Sequence, residues 1–432
     1  MSDAICIRGG RIVDPSRGLD EVGDVLVAHG RIAALGPAAA PAEALVLEAM
    51  GCIVCPGLVD VHVHLREPGA EHKETIATGT RAAVAGGFTT VCCMPNTDPP
   101  PDDAARVRDL LDRARRAAAC RVRPIGAASV GARGEELTDF AELRSAGCVA
   151  VSDDAAALQD PALMQTALAQ AAAADVPFIA HCELTRLSAG GVAGTDDVAA
   201  ELGVPRYPAA AEVEHARLWA QAARGAPAGA RLHVAHASTP ETIAALRDSA
   251  PPHLTWSVET APHYLALTAD ALRTFGADAK MNPPLRSEAD RQGLVAALGS
   301  GDVTVIATDH APHTPEEKAA GLAASPFGVV GLETAVGVLW TALGHTGLVP
   351  VSQVVAALST NPARVLGLPA GTLRVGAPAD LTIIAPDVQW TVDPERFYSM
   401  GRNSPFAGMA LRGRPWATIV GGRLAMLEGS VL

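Results

Sequence analysis

Eight short apolar runs separated by helix-forming segments constrain this chain more than any other feature. The runs end near His62, Met94, Ala127, Ser152, His181, His236, Glu259 and Asp309. Helical periodicity fills the gaps over 73–85, 103–119, 136–146, 161–174, 210–223, 240–249 and 288–298, and 332–343 follows the last run. Buried parallel strands read as continuous apolar stretches, and each needs a crossover helix to reach the next. Eight β/α units over roughly 250 residues predict an α/β fold, a closed TIM-like (β/α)8 barrel with its reactive groups at the C-terminal ends of the strands. An open doubly wound sheet is the competing architecture.

The two ends of the chain follow a different pattern. Residues 4–7, 11–13, 24–27, 31–35 and 53–54 read as short strands, with turns at Gly9-Gly10 and His29-Gly30. The Ala/Pro-rich stretch 37–44 reads as a surface loop. Strand signals return after Gly376, in Leu381-Thr382-Ile383-Ile384, and again in Ala417-Thr418-Ile419-Val420. Both ends are therefore expected to build one small discontinuous β domain, residues 1–55 with 366–432, beside a metal-dependent barrel domain over 56–365.

Polar residues close the apolar runs, and their types are informative. The first run lies in Pro56-Gly57-Leu58-Val59-Asp60-Val61-His62-Val63-His64-Leu65-Arg66-Glu67-Pro68-Gly69. Strand side chains alternate, so His62 and His64 share a face and can both reach one divalent ion. Asp153-Asp154 follow the fourth run, His181 the fifth, His236 the sixth and Asp309 the eighth. Four imidazoles and two carboxylates at one barrel mouth suit a hydrolytic centre of one or two zinc ions. Imidazoles would fix the metal, a carboxylate would bridge, and an open position would take water. Alternation also sorts neighbours: His233 and His236, three apart, face opposite ways, which favours His236 as the ligand. Asp153 and Asp154 must differ in role, though periodicity does not say which is the ligand, and His310 should point away from Asp309.

A formal net charge of -13, with no run of lysine or arginine, excludes nucleic acid and anionic membrane as partners. A small anionic substrate would then need a local cationic pocket. No apolar run is long enough to span a bilayer, and the opening residues do not read as a signal peptide. The eight cysteines lie mostly inside apolar runs and read as buried free thiols, Cys52-Ile53-Val54-Cys55 being strand, which fits a reducing cytoplasm.

Several stretches carry a family resemblance: Asp60 to Gly69, Gly86-Gly87-Phe88-Thr89-Thr90-Val91, Met94-Pro95-Asn96-Thr97, Met281-Asn282-Pro283-Pro284-Leu285-Arg286, Thr308-Asp309-His310-Ala311-Pro312-His313 and Gly331-Leu332-Glu333-Thr334. Together they resemble the dihydroorotases of the bacterial class I type, in the amidohydrolase superfamily, over nearly the whole chain. The resemblance implies reversible interconversion of L-dihydroorotate and N-carbamoyl-L-aspartate in pyrimidine biosynthesis, with one or two Zn2+ per subunit. It places His62, His64, Asp154, His181, His236 and Asp309 at metal positions, with Asp154 bridging. Asp309 is also the implied catalytic proton carrier. Substrate contacts are implied for His64, Arg66, Asn96, Asn282 and His313, and through the backbone for Phe327-Gly328. A homo-oligomer and association with aspartate carbamoyltransferase are implied partners.

Hydantoinase-like and dihydropyrimidinase-like members of the superfamily bridge their metals with a carboxylated lysine instead. This chain has only Lys73, Lys280 and Lys318, none between the second and sixth predicted strands, so Asp154 is the one bridging option. The alternatives are another cyclic amidohydrolase, allantoinase-like, or a noncatalytic scaffold for aspartate carbamoyltransferase. A full set of candidate ligands speaks against the scaffold. Two departures from the family pattern stand out: Ala155 where glycine commonly follows the bridging aspartate, and Ala261-Pro262-His263-Tyr264, in which His263 has no assigned role. A lid, if the pocket has one, belongs near residues 313–327, where Thr314-Pro315-Glu316-Glu317-Lys318 opens a polar loop.

Overall fold

The computed structural model describes residues 4–36 and 41–432. Five strands open the chain: β1 (Ala4–Asp14), β2 (Leu19–Ala28), β3 (Arg31–Leu35), β4 (Leu45–Glu48) and β5 (Ile53–Pro56). Eight more follow, β6 (Leu58–Val63), β7 (Phe88–Cys93), β8 (Arg121–Ala127), β9 (Ala150–Ser152), β10 (Phe178–Ala180), β11 (Arg231–Val234), β12 (Thr255–Thr260) and β13 (Val305–Ile306). These eight are parallel, pair in chain order and end within three residues of the expected positions. The first and last meet beyond β13, where Val63 bridges His310 and the His64 N–H donates to the His310 carbonyl at 2.8 Å. The (β/α)8 expectation holds.

The strands form because both their faces are dry. Val59, Val61, Cys92, Ile125, Ile179 and Val305 pack inside the barrel, with Ala363 and Leu366 in the same cluster. Leu58, Phe88, Phe178 and Leu232 face outward, under Val84, Leu110, Leu168, Trp219 and Leu246 of the surrounding helices. Helix starts are set by side-chain caps: Thr75, Asp103, Asp139, Asp160 and Ser287 each accept a backbone N–H of the first turn. The first helix accordingly begins at Ile76, three residues later than periodicity suggested.

Four closing strands, β14 (Leu381–Thr391), β15 (Ala410–Val420), β16 (Arg423–Leu427) and β17 (Ser430–Val431), join the opening five in one sheet. The union runs through β5 and β14, antiparallel with Leu381 opposite Pro56. The expected discontinuous β unit is therefore present. Its contacts hold the entry ends of β6, β7 and β8, away from the mouth: the Gly57 N–H donates to the Asp380 carbonyl, Thr382 Oγ1 to the Gly87 carbonyl at 2.6 Å, and Arg121 Nε to Asp380 Oδ2 at 2.7 Å. Gly87 has φ +90, and a Cβ there would lie 2.8 Å from Thr382 Cγ2, so both conformation and proximity require glycine.

Two details differ from expectation. Gly9-Gly10 is no turn: the pairing of β1 with β2 shifts register between Ile7 and Gly10, and one strand continues through a bulge. A Cβ on Gly10 would lie 2.5 Å from Val54 Cγ2, so the strand survives here by lacking a side chain. Of the stretch expected as a loop, 37–40 lie outside the described residues, and 41–44 form a mostly exposed turn leading into β4. That strand carries no sequence signal because only Leu47 of its four residues is buried, leaving no alternation to read. No helix among the described residues is long and apolar enough to cross a membrane.

Candidate metal centre

The β6–β7 pairing is irregular between Asp60 and Val63, at the end of the first barrel strand. His62 and His64 both face the mouth there, with ring centroids 5.3 Å apart. Glu259, at the end of β12, accepts a hydrogen bond from His62 Nδ1 at 2.7 Å, and the Asn96 amide oxygen accepts one from His64 Nδ1 at 2.8 Å. With Nδ1 carrying the proton, each ring turns an unprotonated Nε2 toward carboxylates. His62 Nε2 lies 3.4 Å from Asp154 Oδ1 and 3.5 Å from Asp309 Oδ1, and His64 Nε2 lies 3.0 Å from Asp309 Oδ1.

The second group sits on the other side of Asp154. His181 Nδ1 is 3.4 Å and His236 Nε2 3.7 Å from Asp154 Oδ1, and the two ring nitrogens are 2.9 Å apart. Donor atoms of His62, His64 and Asp154 lie within 4.8 Å of one another, as do those of Asp154, His181 and His236. Asp154 alone belongs to both sets. The buried His62 Nε2 has no hydrogen-bond partner. A buried lone pair facing carboxylate oxygens is repulsive unless a cation lies among them, so this donor set fits a divalent metal. Electrostatics agree. Burial works to lower the proton affinity of His62, but Asp154, Glu259 and Asp309 outweigh it and raise its pKa well above the ordinary value. The cluster draws positive charge.

Asp309 keeps a low pKa despite burial, which acts to raise it: His62, His64 and His236 hold it at about 2. Backbone strain concentrates here as well, with Arg66, His236 and Asp309 at φ +59, +33 and +48. Around the cluster is a pocket of about 190 Å³ lined by His64, Arg66, Asn96, Asp154, His181, His236, Asn282, Asp309, Ala311, His313, Phe327 and Gly328. Every expected site residue lies on it except His62, which is buried beneath. Arg66 Nη2 is 3.2 Å from His313 Nε2, which lies 2.8 Å from the Phe327 carbonyl oxygen. The buried Asn282 Oδ1 has no partner and remains a free acceptor.

The sorted neighbours separate as expected. Asp153 turns from the cluster to accept the His181 N–H at 2.8 Å and the Leu158 N–H at 2.9 Å, and burial pushes it up to about 7. His233 Nε2 donates to Glu259 Oε2 behind the site, and His310 Nε2 faces Glu74 rather than the pocket. Ala155 is exposed and outside the left-handed region, so its methyl costs nothing. His263 is buried against Tyr264 and does not line the pocket.

Three carboxylates that complete the site were not among the expected site residues. Glu259 joins His62, His233 and the His236 N–H. Glu183 Oε2 accepts from His181 Nε2 at 2.8 Å and from Asn282 Nδ2 at 2.9 Å. Asp60 ties the first strand to the last, accepting Thr308 Oγ1 at 2.6 Å and the His62 N–H at 3.1 Å. Such groups orient ligands and set their tautomers. The one local signal was at Asp60 and Glu259, each the lone carboxylate of its barrel strand; it marks a buried charge without naming its partner.

The Dihydro-orotase-like family model matches residues 51–242, and the Amidohydrolase family model matches 296–426. The dihydroorotase of Pelotomaculum thermopropionicum is 47% identical over 427 residues, 98% of this chain and 99% of its own length. That of Syntrophotalea carbinolica is 44% identical over 420 residues, 97% and 98% of the two chains. Among solved structures, an L-hydantoinase (dihydropyrimidinase) from Arthrobacter aurescens is similar with a TM-score of 0.87 at 26% identity, covering 99% of this chain and 97% of that one. Near-complete coverage in both directions, at sequence identities approaching one half, shows that the chain belongs to the dihydroorotase family of the amidohydrolases.

Proposed function

We propose that the chain is a zinc-dependent dihydroorotase that opens L-dihydroorotate to N-carbamoyl-L-aspartate, and closes it again, in pyrimidine biosynthesis. The observation that carries this reading is one small pocket in which Asp154 joins two imidazole pairs and Arg66 is the only arginine or lysine on the wall. The residues that would hold zinc are His62, His64, Asp154 and Asp309 on one side and Asp154, His181 and His236 on the other. Bound zinc supplies Lewis acidity toward a carbonyl and an acidic water.

The chain's own groups do the rest. Arg66 presents a planar fork for the ring carboxylate, and Asn96 and Asn282 offer amides beside it. His313, held neutral because burial and Arg66 lower it to about 4, completes that wall together with the Phe327 carbonyl and Gly328. Asp309 takes the proton of the attacking water and passes it to the departing ring nitrogen. Arg66→Ala is expected to raise KM by about 10- to 100-fold with kcat much less changed, since a charge-assisted pair contributes to substrate and transition state alike. An unchanged KM in steady-state assays would place the carboxylate elsewhere.

Hydantoinase chemistry is the neighbouring reading, and the lysines oppose it. Lys73 pairs with Glu317, while Lys280 and Lys318 bind backbone carbonyls, so none of the three enters the cluster. The deciding experiment is hydrolysis of L-dihydroorotate by zinc-replete protein beside dihydrouracil and allantoin, with bound metal counted on the same sample. Turnover of dihydroorotate alone supports the assignment, and metal without that turnover defeats it. Ring closure turns a dianion into a monoanion plus water and takes up a proton. The equilibrium ratio should therefore shift toward dihydroorotate about tenfold per unit fall in pH, and a ratio independent of pH would rule this substrate out. The eight unpaired cysteines favour a reducing compartment. Exposed Val22, Leu45 and Val46 on the small sheet, with Met50 in the turn after β4, favour self-association, or docking of a carbamoyltransferase, which light scattering would test.

A further inference from the structure

The chain has thirty-four basic side chains, and only Lys73, Lys280 and Lys318 are lysines. All three converge on the segment from His313 to Gly328. Lys280 Nζ donates to the carbonyls of Ser325 at 2.6 Å and Ala323 at 3.1 Å, and lies 4.6 Å from the centre of the Phe327 ring. Lys318 Nζ donates to the carbonyls of Ala277 at 2.8 Å, Pro326 at 3.0 Å and Lys280 at 3.5 Å. Lys73 pairs with Glu317 at 2.7 Å, and Glu317 caps Thr314 and faces His313 Nδ1.

The two carbonyl-bound lysines are unusual in their surroundings. Lys280 is 3% and Lys318 6% exposed, and neither ammonium has a carboxylate partner within ion-pair distance among the described residues. Burial lowers both, Lys318 to about 8. An apolar side chain would fill the same space with less desolvation, so stability alone does not explain a buried charge. The loop does. Residues 319–324 read Ala-Ala-Gly-Leu-Ala-Ala, and only Leu322 is even partly buried. Having almost no apolar side chains to anchor it, the loop is held through its backbone oxygens. A compact ammonium has three divergent donors and suits carbonyls that do not share one plane, whereas the donors of a guanidinium are fixed in a planar fork.

What these contacts position is one wall of the pocket. The Gly328 N–H donates to the Lys280 carbonyl at 2.9 Å, and Asn282 lies two residues beyond. The Lys280 main chain thus joins Asn282 to Phe327-Gly328, and its ammonium fixes the Ala323 and Ser325 carbonyls just before Phe327. We propose that Lys280 and Lys318 are positioning residues for substrate, holding the Asn282 and Phe327-Gly328 backbones at the spacing the substrate requires. The inference rests on the dihydroorotase reading of the pocket.

The test is steady-state kinetics on the zinc-replete full chain carrying Lys280→Met or Lys318→Met, with hydrogen exchange of the 319–328 amides measured without substrate. Expected are a KM raised about tenfold or more, kcat within about threefold, unchanged metal content, and exchange in that loop faster by about tenfold. Lys280→Arg should resemble Lys280→Met rather than the parent. Unchanged exchange, or faster exchange with KM within about twofold of the parent, overturns the proposal. A role in stability alone would lower the unfolding midpoint and leave KM in place. Should Lys280→Met fail to fold, Lys280→Gln and Lys318→Met carry the same readouts. If the parent does not turn over dihydroorotate, the function assigned above fails, and the exchange data still report whether the lysines hold the loop.

Discussion

Asp309→Asn is expected to leave the fold and the metal content intact and to lower dihydroorotate turnover by about 10³-fold or more, in both directions. The substitution is isosteric and keeps an oxygen at the position 3.0 Å from His64 Nε2, so the imidazoles lose no packing partner. What it removes is the one carboxylate on the pocket wall besides Asp154. Asp154 is hemmed in by four histidines, His62, His181 and His236 around Oδ1 and His64 3.7 Å from Oδ2, so neither oxygen is free to accept a proton. Asp309 stays ionised at neutral pH because neighbouring imidazoles offset its burial, so it is ready to accept. Metal analysis and progress curves on the same preparation separate the outcomes. Activity within about tenfold of the parent would take the proton-carrier role away from Asp309.

The second large effect is expected at a residue that never touches substrate. Glu259→Gln should weaken metal binding by about 10- to 100-fold, read by competition with a chromophoric chelator, with activity recovering in excess zinc. One carboxylate there accepts from His62 Nδ1, His233 Nε2 and the His236 N–H. Glutamine has a single acceptor oxygen and brings an N–H2 that must face one of those donors. His62 is then free to take the other tautomer, which puts a proton on the nitrogen aimed at Asp154. Chelator competition unchanged from the parent would show that His62 is oriented by its backbone alone.

These two residues mark how far the sequence could be read. The strand-end histidines and Asp309 were legible because an apolar run that stops on a polar residue states both its direction and its end. Asp154 was separable from Asp153 only by resemblance, since adjacent strand-end carboxylates look alike until one is seen to accept the His181 N–H. Glu259, Glu183 and Asp60 were not legible as site residues. For Glu259 the partner His62 is 197 residues away, and no local pattern encodes such a pair; Glu183 and Asp60 each bond a histidine only two residues away, but their second partners, Asn282 and Thr308, are distant. The fold shows the same division. Barrel strands and most helices follow from periodicity, whereas the bulge at Gly9-Gly10 depends on Val54, and β4 carries too little buried surface to announce itself. The gathering of three scarce lysines on one loop is likewise visible only in three dimensions.

The union of β5 with β14 has a consequence for how the protein is made. Pro56 and Leu381 face one another, so the edge of the first-synthesised sheet stays open until more than three hundred further residues have been translated. At a ribosomal pace of about 5–20 residues per second, that is a delay on the order of tens of seconds. Throughout it, the apolar strand Ile53–Pro56 presents unpaired backbone to any other nascent chain. The early strands therefore need shelter during synthesis, because the edge of β5 can be covered only once Leu381–Thr391 has been made.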